Sequence, residues 1–147
     1  SRRRPVVDPG MRLAAAGLGV LGAAAGLGAF LAFARFSPNL ATGYVTALVL
    51  GISLFVAAHY YKIVPFLVWY HRFGPLAGRQ PVPKVAELYS AVWAKASGAL
   101  LTAGTVTLVL AVLAGSAPAA RGGALVFLAG ALVEAAQMAG VARRRPA

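Results

Sequence analysis

Four long apolar runs, separated by clusters of glycine and proline, leave this chain few ways to fold. A helix that crosses a hydrocarbon layer of about 30 Å needs about 20 apolar residues. One run lies between Arg12 and Arg35 with no charge inside it. A second begins near Leu40 and continues to Tyr70, interrupted by His59 and Lys62. A third extends from Val85 to Ala114 and holds Glu87 and Lys95. The fourth covers Pro118 to Ala142 and holds Glu134. The first run is hydrophobic on every face, so it has no polar side to offer water. It is also longer than the apolar part of a cleaved signal peptide, about 7–15 residues, which favours a retained helix.

The breaks agree with this division. FSPNLATG, GPLAGRQPVP and GSAPAARGG join the runs, and Gly and Pro stop helices through steric restriction and lost backbone donors. The sequence therefore predicts an all-α, integral membrane four-helix bundle in one domain over residues 1–147. Its helices are expected over about 12–36, 40–72, 84–114 and 118–142. Ser1 opens the sequence, and Met11-Arg12, just before the first run, reads as a possible native start.

Charge sets the expected direction. The chain carries 14 Lys and Arg against three acids, Asp8, Glu87 and Glu134. Arg2, Arg3, Arg4 and Arg12 precede the first run, Arg72, Arg79 and Lys84 flank the second connection, and Arg143, Arg144 and Arg145 end the chain. With four spans these groups fall on one side, leaving Arg35 and Arg121 on the other. Positive charge stays on the cytoplasmic side, so both termini are expected there, in a bacterial inner membrane. The charges lie between apolar runs rather than on a soluble face. Anionic headgroups are the expected partner, not nucleic acid. The chain has no cysteine, which excludes disulfides, thiolate metal sites and cysteine nucleophiles. The histidine spacings of zinc sites, a G-x-S-x-G elbow and a phosphate loop are also missing.

Small residues are the means by which helices approach closely in lipid. The first run holds Gly17, Gly19, Gly22, Gly26 and Gly28, with Gly22 and Gly26 in G-x-x-x-G spacing. The fourth holds Ala131, Ala135 and Ala139; Ser90, Ala94, Ser97 and Leu101 line one side of the third. Two readings follow: packing inside one bundle, or the face of a homodimer on the first or fourth span.

Ionisable residues at depth are the functional signal, because a lone charge in the membrane costs a few kcal/mol or more. Counted at about 1.5 Å per residue from the basic edge, His59, Lys62, Lys95 and Glu134 all fall at roughly 12–20 Å. Glu134 is expected to pair with Lys62 or Lys95, with Gln137 one turn away and Tyr61 nearby. His59, Lys62, Phe66 and Trp69 share a helix face by their spacing. Pro65 cannot donate to the Tyr61 carbonyl and is expected to kink the second helix. Trp69, Tyr70 and His71 read as an interfacial belt. For His59 three roles stay open: a satisfied structural imidazole, a haem ligand, or a proton relay with Glu134 and Lys62.

The block HYYKIVPFLVWYHRFGPLAGRQPVPKVAELYS, and above all Tyr61–Trp69, resembles a segment of small bacterial membrane proteins related to haem–copper oxidase subunit I. The resemblance covers about a quarter of the chain. It implies haem b with His59 as its metal ligand, and Lys62, Arg72 or Arg79 near the propionates. With two histidines in the chain, one copy cannot assemble an oxygen-reducing binuclear centre. One copy offers a single buried histidine, so bis-histidine haem would need a symmetric dimer with one His59 from each copy; otherwise the iron would be five-coordinate or take an outside ligand or Met138, which lies nearer the cytoplasmic end than His59. The leading expectation is haem binding for electron transfer, haem handling or gas sensing, with an unknown redox partner and no independent catalysis. A small transporter, channel or proton-coupled module using Lys62, Lys95 and Glu134 is the alternative, and a cofactor-free structural partner subunit is the third.

Overall fold

The computed structural model describes residues 8–33 and 37–146. Arg2, Arg3, Arg4 and Arg35 lie outside the described residues. Four helices follow in order: α1 Pro9–Phe33, α2 Pro38–Val68, α3 Ala91–Leu113 and α4 Ala117–Arg143. Each is long and apolar enough to cross a membrane. No strand occurs among the described residues.

Local chemistry sets the ends. The Asp8 carboxylate accepts from the Gly10 amide at 2.8 Å and so caps α1, satisfying one of the donors a helix start leaves free. Pro38 and Pro118 occupy the first turns of α2 and α4, where a missing N–H costs nothing. Gly115 ends α3 in the left-handed region at φ 68°. There the Ser116 amide reaches back to Ala111 and the Gly115 amide to Val112, the two bonds of a Schellman stop.

The third helix begins later than its hydropathy suggests. Residues 84–90 are not part of α3; Val85–Glu87 is an isolated 3-10 turn. Glu87, expected inside the span, instead accepts from the Lys84 amide at 3.0 Å and closes that turn. Pro81 and Pro83 just before it deny the chain helical continuity. At the other side of this connection α2 runs through Pro65 and ends in a π-helical turn, Trp69–Phe73.

Close approach builds two hairpins. α1 lies along α2, and α3 along α4. A Cβ on Gly17 would come within 2.9 Å of the Phe55 amide nitrogen. A Cβ on Gly123 would meet the Leu108 amide at 2.8 Å, one on Gly130 the Leu101 amide at 2.8 Å, and one on Gly104 would collide with the Phe127 backbone. Glycine is required at these positions because backbone, not flexible side chain, occupies the space.

The hairpins meet mainly through α2 and α3, while α1 and α4 stay apart. Leu13, Leu54, Ala58 and Leu101 form the central cluster. At the end bearing the N-terminal residues, Phe73, Leu88 and Val141 make a second cluster. There the Arg72 guanidinium donates to the Arg144 carbonyl at 2.5 Å. The ends of α2 and α4 thus project together past the start of α1, which lies beside Ala58 and Tyr61.

This overhang revises the depth expected for the lysines. Lys62 lines a hollow with Asp8, and Lys95 one with Arg12. Both therefore sit near the first turn of α1, not deep in the bundle.

Candidate functional site

The inward stripe of α4 is Gly123, Gly130, Glu134 and Val141, with Phe127 and Gln137 half-buried between them. This heptad-like spacing brings one acid and one amide to the seam between the hairpins. Of the Ala131, Ala135 and Ala139 row, Ala131 packs half-buried against the central cluster and the other two are exposed. On α1, Gly19, Gly22 and Gly26 have no atom within 4 Å of where a Cβ would stand. The expectation that Gly22 and Gly26 pack within the bundle is therefore corrected, since Gly10, Gly17 and Ala24 form the buried stripe.

A polar lock crosses the seam. The buried Tyr61 hydroxyl on α2 shares a hydrogen at 2.6 Å with Ser97 on α3. The Gln137 amide on α4 reaches the same hydroxyl at 3.1 Å. With its amide turned over, Gln137 also donates to the Ser90 carbonyl and accepts from the Ala94 amide, each at 3.1 Å. Three helices are thus tied at one level by uncharged groups. The sequence pointed to Tyr61 and Gln137; it offered Ser97 only as one of a row of small residues.

Glu134 lies one turn deeper than Gln137. It is 6% exposed, and its Oε1 has no hydrogen-bond partner. Thr105 Oγ1 is the other such orphan among the described residues. The expected ion pair is not formed: Lys62 and Lys95 are exposed and turn into other hollows. Helix phase explains it. On α2 the buried line is Leu54, Ala58, Tyr61 and Pro65, and Lys62 falls a residue off it. Lys95 follows buried Ala94 on α3 in the same way.

Glu134 lines a groove of about 540 Å³ between α2 and α4. Leu101 of α3 forms its floor; Ile52, Val56 and Tyr60 form one wall, Phe127 and Met138 the other. Ile52, Val56 and Tyr60 are each about half exposed on the outer flank of the bundle. Glu134 is the only charged residue lining it.

His59 is half-buried and lies off the inward line of α2. Its Nδ1 is 2.7 Å from the Phe55 carbonyl. A carbonyl only accepts, so Nδ1 carries the hydrogen, and in the neutral ring Nε2 keeps its lone pair. The Phe55 ring leans on the imidazole, centroids 4.5 Å apart. His59 does not meet Glu134, so the three-residue relay is not assembled. Arg72 is engaged by the α4 end, Arg79 and His71 are exposed on the overhang, and Trp69 donates to the Pro83 carbonyl at 2.7 Å. Near the α1 cap, burial and the Asp8 carboxylate push the Tyr89 hydroxyl above the ordinary tyrosine range. No group of three or more His, Asp or Glu positioned for a metal ion occurs among the described residues.

No family model, curated protein or solved structure matches the chain.

Proposed function

We propose that this chain is a small proton-coupled module of a bacterial inner membrane, with its basic end in the cytoplasm and Glu134 as the group that exchanges its proton. Glu134 carries the reading: a nearly enclosed carboxyl with an unpartnered oxygen, lining a groove on the outer flank of the bundle. A structural acid in such a setting would be paired, because an uncompensated charge costs several kcal/mol. An acid left without a cation can ionise only when something positive arrives. That property suits exchange and gives nothing to stability. The titratable groups facing it are Tyr60 and Tyr61 of α2. α3 presents Leu101 there, and no residue of α1 lines the groove. The test is proton movement in proteoliposomes. Wild type moves protons, and Glu134→Gln, isosteric and neutral, loses the flux by about tenfold or more. Equal flux in both would overturn the reading.

A second reading, haem b on His59, is favoured by the imidazole geometry. The Nδ1 hydrogen is already committed to Phe55, which leaves the Nε2 lone pair as the atom that would hold the iron. Lys62, three residues on and exposed, fits a propionate; Arg72 is already held by Arg144. When bound, haem would supply one-electron or gas-binding chemistry. A second histidine would come from another copy across a two-fold axis. Identical Soret spectra and affinities for wild type and His59→Ala would remove this reading.

A further inference from the structure

We infer that the groove between α2 and α4 binds a lipophilic organic cation, taken laterally from the bilayer and held against Glu134. This rests on the exchange reading above and names the class of ligand that the acid serves.

Shape comes first. A volume of about 540 Å³ falls in the range of pockets for drug-sized molecules, about 300–1,000 Å³. The walls are aliphatic and aromatic, and the half-exposed Ile52, Val56 and Tyr60 stand where acyl chains would lie. A hydrophilic ion gains nothing from such a lining, whereas a molecule already dissolved in the membrane loses little on entering it.

Charge selects the sign. No Lys, Arg or His lines the groove, so an anionic headgroup would find no partner. Glu134, nine-tenths enclosed with Oε1 unpaired, offers at the inner wall a carboxyl that has no cation beside it and can become the partner of one that enters. Tyr60 and Phe127 add aromatic faces, which attract cations within about 6 Å. The ligand with both properties is a hydrophobic amine or a delocalised cation.

The binding step balances. The protonated carboxyl releases H⁺ as the cation enters, leaving a carboxylate paired with the ligand and no net charge in the groove. Entry and proton release are therefore one event. The facing groups, Tyr60 and Tyr61, bring hydroxyls and no cation, and Lys62 and Lys95 face other hollows.

The probe is tetraphenylphosphonium, added to the whole chain purified in detergent and followed by calorimetry. Wild type is expected to bind it with release of about one proton. Affinity should rise by up to about tenfold per pH unit until Glu134 is ionised, then level off. Glu134→Gln should lose binding by about tenfold or more and with it the pH dependence. Glu134→Asp should retain both in weaker form. Ala135→Trp, filling the exposed groove wall, should abolish binding. Tetraphenylborate, of like size and opposite charge, should not bind. Equal affinity for the two ions, or unchanged tetraphenylphosphonium binding in Glu134→Gln, would overturn the inference. Absence of binding with Glu134-dependent proton flux intact would sink it and leave the exchange reading standing. Absence of both would remove the two together.

Discussion

The interior of each hairpin and the seam between the hairpins are built on opposite plans. Within α3–α4, Gly104, Gly123 and Gly130 bring backbones into contact, and no side chain separates them. Across the seam, α2 meets α4 over a groove, with Tyr61, Ser97, Gln137 and Glu134 on the facing surfaces. Lipid supplies no hydrophobic drive for helices to associate, so tight van der Waals packing is what holds the hairpins. The seam lacks that packing along part of its length. It holds polar groups and empty space, the two things that weaken a fold and allow a ligand or a proton to act. α1–α2 follows the hairpin plan at Gly17 and Gly51, which makes the contrast a property of the whole bundle.

The sharpest way to break this comparison is to put a side chain where the hairpin is closed. Gly104→Leu must drive a branched side chain into the Phe127 backbone. We expect loss of at least about 3 kcal/mol, the upper end for overpacking, read as a collapse in folded yield and thermal stability in detergent. Gly22→Leu, with nothing near it, should change stability by no more than about 0.5 kcal/mol. If the two variants behave alike, the division into tight hairpins and open faces is wrong.

The second test strikes the seam and reverses the sign. Glu134→Leu removes a buried acid whose Oε1 has no partner. Replacing such a group with an apolar one should stabilise the folded protein, by about 1–3 kcal/mol, while proton exchange disappears. A clear loss of stability would show that the carboxyl holds the bundle together, and would return Glu134 to a structural role.

These positions also show what could be read from sequence alone. The number of helices, and most of their limits to within a few residues, followed from run length and the Gly/Pro breaks; the start of α3, at Ala91 rather than near 84, did not. Facing did not. Helices apolar on all sides carry no 3.6-residue signal, so Gly17, which touches Phe55, and Gly22, which touches nothing, look alike. Counting along the helices put Lys62, Lys95 and Glu134 at one level, but a shared level is not a shared side. One residue of phase, Lys62 after Tyr61 and Lys95 after Ala94, separates an exposed cation from a buried neighbour. Glu87 misled in a different way: it sits in an apolar run, yet two prolines upstream turn that stretch into a connection.

The smallest expected effect refines the seam itself. Tyr61→Phe deletes the hydroxyl that joins Ser97 and Gln137. The aromatic ring stays, and with it the contact to Tyr89, whose ring centroid is 5.4 Å away. Interhelical hydrogen bonds in membranes contribute about 0.6 kcal/mol on average and up to about 1.7. Here one hydroxyl serves two partners, but Ser97 keeps its bond to the Ala94 carbonyl at 3.2 Å, and Gln137 keeps Ser90 and Ala94 when its amide turns. The loss should therefore be about 1 kcal/mol, measured by reversible unfolding in mixed micelles. A Tyr61→Phe, Gln137→Leu double cycle should give a coupling energy of similar size. A loss of 3 kcal/mol or more would mean that the polar lock, rather than glycine packing, holds the hairpins in register, and the seam would then be the strong part of the molecule.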